Sequence, residues 1–116
     1  MKDNIVFVKS KKFALRIIKL YKYLCDEKKE FILSKQLLRC GTSIGANIAE
    51  AIHSMSKREF IAKMNISLKE SAETEYWLEL LKDSEYITEK EYNSLNSHCV
   101  ELKSLLIAII KSSNKQ

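Results

Sequence analysis

The side chains best able to do chemistry in this 116-residue chain are four cations near its start, Lys9, Lys12, Arg16 and Lys19. On a helix, at 100° per residue, they project from one face with Lys11 and Lys22 at its border. Such a stripe neutralises several nucleic-acid phosphates and releases their counterions, which is the chemistry of RNA or nucleoprotein association. A solvated outer surface is the other reading of the same pattern. Residues 1–30 hold nine Lys/Arg against four Asp/Glu, a surplus that equals the whole net charge of +5.

Catalytic patterns are sparse. Glu50-Ala51-Ile52-His53 is a Glu-x-x-His motif, but a di-metal bundle site needs two copies and two further glutamates. The other histidine, His98, has Glu101 after it, the reverse order. Gly41-Thr42-Ser43-Ile44-Gly45 has no preceding strand and no downstream lysine, so it is not a phosphate-cradling loop. No Gly-x-Ser-x-Gly elbow occurs, and Cys25, Cys40 and Cys99 are odd in number and read as small buried hydrophobes. The expectation is a non-enzymatic protein with no metal, no cofactor and no small-molecule substrate.

The elements that must carry these residues are helices. Proline is absent and glycine occurs twice, against 46% apolar and 30% charged residues. That composition folds, and its lack of turn residues disfavours sheets. Its longest apolar run, Leu105 to Ile110, is too short to span a bilayer, and no signal-type apolar segment opens the chain, so a cytoplasmic location without membrane contact is expected.

Val6, Phe13, Ile17, Leu20, Tyr21 and Leu24 form a stripe on a helix over about 3–27. A second helix, about 35–54, is expected to start near a capping Ser34, with Leu37, Gly41, Ile44, Ile48, Ala51 or Ile52, and Met55 along its stripe. Gly41, Gly45 and Ala49 make a smooth strip for close approach of a neighbour. Ser56-x-x-Glu59 and Thr88-x-x-Glu91 spell capping boxes that start helices over 57–83 and 89–111. In the last of these Tyr92, Leu95, Cys99, Leu102, Leu106 and Ile109 step by three and four, a seam that should lie against the other three helices. These four rods with short connections predict an all-α, antiparallel up-down-up-down four-helix bundle filling residues 1–116.

The third helix is apolar on two sides. Phe60, Met64, Leu68 and Leu78 mark one face, while Ala62, Ile66, Trp77 and Leu80 mark another, interrupted by Glu70 and Glu73. A second face of this kind predicts self-association through Ile66, Glu70, Glu73, Trp77 and Leu80. In a hairpin turning near Met55, positions summing to about 110 face each other, which sets Arg39 near Glu70 and Gly41 or Gly45 near Ser67. Arg39, Asn47, Glu50 and Glu70 are accordingly read as structural polar ties, since buried polar groups are hydrogen-bonded.

Gln36-Leu37-Leu38-Arg39, Ser43-Ile44-Gly45-Ala46-Asn47-Ile48-Ala49-Glu50, Glu59-Phe60, Ser67-Leu68-Lys69-Glu70 and Tyr86-Ile87 resemble the four-helix-bundle family of the 23S ribosomal RNA intervening-sequence proteins. Accessory proteins of diversity-generating retroelements are related to that family. The resemblance covers residues 36–87, and Leu38, Ala51 and Glu85 depart from it where the family often has arginine, glycine and glycine. It implies a homopentameric ring without enzymatic activity that associates with RNA or a nucleoprotein. The other reading is a protein adaptor that holds a partner helix in an inter-helix groove, without nucleic acid.

Overall fold

A computed structural model describes residues 2–115, and side chains from residue 5 onward. It contains α1 (Lys2–Asp26), α2 (Leu33–Ile52), α3 (Lys57–Asp83) and α4 (Glu89–Asn114), with no strand among the described residues. The helices pack α1 on α2, α2 on α3, α3 on α4 and α4 on α1, a square up-down-up-down bundle 47 Å long. The α2–α3 seam is the most extensive and the α1–α4 seam the sparsest. α4 lies alongside two helices, α1 and α3, and reaches α2 only across the core, because a square places α2 diagonally opposite.

The stripes bury as their spacing dictates. Phe13, Ile17 and Leu24 of α1, Leu37, Ile44 and Ile48 of α2, and Leu102 and Leu106 of α4 are all inaccessible to solvent. Apolar area removed from water drives this association. On α2 one alternative is decided and one position is corrected. Ala51, not Ile52, completes the stripe, and Met55 is 94% exposed because the helix has already ended at Ile52.

α3 faces the core with small polar residues that no apolar pattern reveals. Ser67, Ser71 and Thr74 are buried between Met64 and Leu78. Their hydroxyls donate to the carbonyls of Ile44, Leu68 and Glu70 at 2.8, 2.6 and 2.7 Å, so each buried group is satisfied. The Ser67 bond confirms the hairpin register, but the glycines turn elsewhere: an added Cβ would meet Ile17 at Gly41 and Ser10 at Gly45. The smooth strip thus gives α1 its close approach, while α3 meets the α2 backbone at Ile44, between the two glycines.

The N-terminus of α2 is also corrected. Ser34 lies inside the first turn and donates to the Glu30 carbonyl at 2.7 Å. The Glu30 carboxylate instead accepts the backbone N–H groups of Ile32, Leu33 and Ser34 at 3.1, 3.1 and 2.7 Å. An anion placed on three orphan donors at the positive end of a helix satisfies both the hydrogen-bond and the dipole requirement. Burial works to raise its pKa, but these bonds outweigh it and the carboxyl sits below its ordinary value.

Helices α3 and α4 start where the sequence places them, but only one of the two expected capping boxes closes. Ser56 accepts from the Glu59 N–H, while the Glu59 carboxylate reaches back to the N–H of Met55. Thr88 and Glu91 form the full reciprocal box. Between them α3 ends in a Schellman turn, with Tyr86 N–H donating to Leu81 O and Glu85 N–H to Lys82 O, and Glu85 held at φ 67°.

Candidate nucleic-acid interface

The basic stripe of α1 divides between solvent and α4. Lys12 and Lys19 are exposed, as are Lys11 and Lys22, and none of the four makes an ion pair among the described residues. Lys9 and Arg16 lean the other way. Lys9 Nζ lies 3.2 Å from the Glu101 carboxylate of α4. Arg16 donates to the Ser94 hydroxyl at 2.8 Å and to its carbonyl at 3.5 Å, and stands 3.4 Å from Nδ1 of His98. Phe13 meets the His98 ring edge-on at 5.1 Å.

Burial, then the Arg16 charge, pushes the His98 pKa below its ordinary value, with Glu101 opposing. A neutral ring gives Arg16 an acceptor at Nδ1. Arg16 is consequently held by neutral acceptors and keeps its charge uncompensated by any carboxylate within bonding distance. Beside it the sparse α1–α4 seam opens into a groove of about 510 Å³ lined by Arg16, Lys19, Leu20, Tyr23, Lys90, Glu91, Ser94 and Leu95.

Lys90, Tyr23 and Ser94 were not legible as partners of the stripe. Their signal was the antiparallel register of α1 against α4, and no short connection joins these two helices to fix it.

The second face lies on α3. Ile66 is 42% exposed and Tyr76, which the sequence pattern did not single out, is 56% exposed. Leu80 and Trp77 are half-buried, and Trp77 packs against the core while its ring meets Tyr76 at 5.2 Å. Glu70 and Glu73 both turn to Arg39 across the α2–α3 seam, and Glu73 also accepts the Trp77 indole N–H at 3.0 Å.

Arg39 is half exposed, so this cluster orders side chains more than it stabilises the fold, with a surface pair worth about 0–1 kcal/mol. Glu50 pairs with Lys63 at 3.0 Å, whereas Asn47 donates to Ser43 O of its own helix at 2.9 Å. Thus Arg39, Glu50 and Glu70 tie helices together, and Asn47 bonds only within α2.

The remaining reactive side chains are enclosed or dispersed. Burial pushes the thiols of Cys40 and Cys99 up to about 11 and about 12, and Cys99 donates to Ser71 O at 3.3 Å. Such thiols are poor nucleophiles at neutral pH. His53 sits exposed at the end of α2, and no group of three His, Cys, Asp or Glu side chains among the described residues is placed to hold a metal ion. No helix of the described residues is long and apolar enough to cross a membrane.

Comparison with known proteins agrees with the resemblance read from α2 and α3 and extends it. The family described as 23S rRNA-intervening sequence protein matches residues 2–108. A crystal structure of a protein of unknown function from the S23 ribosomal protein family of Bacteroides thetaiotaomicron is 59% identical. The match covers 96% of this chain and 99% of that one, with a TM-score of 0.95. No curated protein matches the chain. With four helices in the expected order and the family matched from the first helix into the last, the chain belongs to the 23S rRNA-intervening sequence protein family.

Proposed function

We propose that the protein is a non-enzymatic, homo-oligomeric helical scaffold that meets RNA or a ribonucleoprotein partner through the basic face of α1. One observation carries the reading: Lys11, Lys12, Lys19 and Lys22 are exposed without an ion pair among the described residues, whereas Lys9 on the same helix is paired with Glu101. Uncompensated cations on one rod are suited to a polyanion. Assignment of the similar crystal structure to a ribosomal protein family supports a ribonucleoprotein setting. Self-association rests on the outward Ile66, Tyr76 and Leu80 of α3, and five copies is the number that the family resemblance implies.

Salt separates this reading from a protein-only adaptor with a partner helix in a groove. If about four phosphates are neutralised, affinity for RNA falls roughly a hundred-fold between 50 and 200 mM salt. A hydrophobic groove responds little. Lys11→Glu with Lys12→Glu, both exposed and neither bonded to α4 among the described residues, should remove most RNA binding while circular dichroism stays unchanged. Affinity that ignores both salt and these substitutions would reject the RNA reading.

A further inference from the structure

We infer that the α1–α4 groove seats a nucleotide of single-stranded RNA, its phosphate against Arg16, Lys19 and Lys90 and its base against Tyr23 and the wall of Leu20 and Leu95. The inference rests on the RNA reading above and narrows it to one form of RNA and one place on the bundle.

The charges around the groove are one-sided. Arg16, Lys19 and Lys90 line it against a single carboxylate, Glu91, and that carboxylate already accepts the Thr88 N–H at 2.8 Å in the α4 cap. Neither Lys19 nor Lys90 makes an ion pair among the described residues. Arg16 is positioned by Ser94 and His98, neutral acceptors that occupy part of its donor fork. A guanidinium fixed in place without a carboxylate is a prepared phosphate ligand.

The remaining wall suits a base rather than a second phosphate. Leu20 and Leu95 are core residues at 9% and 6% exposure that also line this groove, and Tyr23, 40% exposed, stands beside them. Unstacked bases are recognised on aromatic side chains, and a pocket of about 510 Å³ falls within the range that holds small organic ligands. Duplex RNA keeps its bases paired inside and offers this groove only phosphates, so the apolar wall would gain nothing from it.

The groove also combines residues that the stripe alone does not. Lys90 comes from the first turn of α4, whereas Lys12 belongs to the stripe but not to the groove. That difference makes the place of binding separable from the fact of binding.

The test is fluorescence anisotropy of the full chain with a labelled oligouridylate and with a blunt-ended RNA duplex of equal length. The oligouridylate should bind more tightly, Tyr23→Ala should weaken it about ten-fold, and Tyr23→Phe should retain it. Lys90→Glu should weaken it likewise, while the duplex should be insensitive to Tyr23→Ala. Equal affinity for both RNAs, lowered by Lys12→Glu but not by Tyr23→Ala or Lys90→Glu, would overturn the groove and leave the basic-face reading standing. Absence of binding to either RNA would overturn both. Binding of an amphipathic peptide that blocks the groove and ignores salt would assign it to a protein partner instead.

Discussion

Gly41 of α2 faces Ile17 of α1 so closely that a methyl group on the glycine would sit 3.0 Å from both γ-carbons of the isoleucine. Ile17 is β-branched and wholly buried, so it has no free rotamer into which to withdraw. Alanine at position 41 gains about 1 kcal/mol of helix propensity but forces the two helices apart, an overpacking cost of about 1–3 kcal/mol. Urea unfolding of Gly41→Ala should show net destabilisation. At Gly45 the obstructing atom is the Ser10 hydroxyl, also at 3.0 Å, and its smaller side chain makes the loss smaller.

Glu30 caps α2 with three backbone bonds, so Glu30→Ala should cost about 1–2 kcal/mol. Its folded pKa lies below the ordinary 4.5, which means that the folded state favours the charged form. This stabilisation is complete above the unfolded pKa and disappears as pH falls through the folded value. Wild type and Glu30→Ala should therefore differ at pH 7 and converge on acidification in urea titrations.

Glu85 holds φ 67° at the end of α3, where an L side chain is strained by about 1–2 kcal/mol. Glu85→Gly relieves the strain and loses some of the gain to the freer unfolded chain. A rise in stability of about 0.5–1 kcal/mol by thermal melting is expected.

The bundle was readable because helical periodicity places apolar residues without knowledge of their partners. Phe13, Ile17 and Leu24 are buried for that reason, and so are Leu102 and Leu106. The α2–α3 register was also readable, since a short connection forces Arg39 opposite Glu70. By contrast α1 and α4 are joined only through the other two helices. Nothing local announces that Lys9 meets Glu101 or that Arg16 meets Ser94, and the groove went unseen for that reason. Ser67 was placed at the α2–α3 seam by the hairpin register, but buried Ser71 and Thr74 escaped because their polarity is cancelled by bonds to carbonyls, which composition does not display.

His98 makes the same seam sensitive to acid. Burial and the Arg16 charge lower its folded pKa from 6.5, with Glu101 and a hydrogen bond to the Lys9 backbone opposing them. Below about pH 6.5 the unfolded chain takes up a proton that the folded one resists, so stability falls as pH drops through that range. His98→Gln keeps an acceptor for Arg16 without the titration. Melting temperatures between pH 7.5 and 5.5 should slope less for the variant than for wild type.

Trp77 packs its ring beside exposed Tyr76 and bonds Glu73, at the edge of the outward apolar face of α3. Loss of an aromatic at the edge of an association surface weakens assembly more than it unwinds a helix. Trp77→Ala should lower the oligomer mass while leaving helical circular dichroism largely intact.

Light scattering of the purified wild-type chain at micromolar concentration tests the scaffold most directly. A mass about five times that of the 13.5 kDa chain is predicted, falling toward the chain mass in Trp77→Ala. A wild type that scatters as a 13.5 kDa monomer would contradict the account.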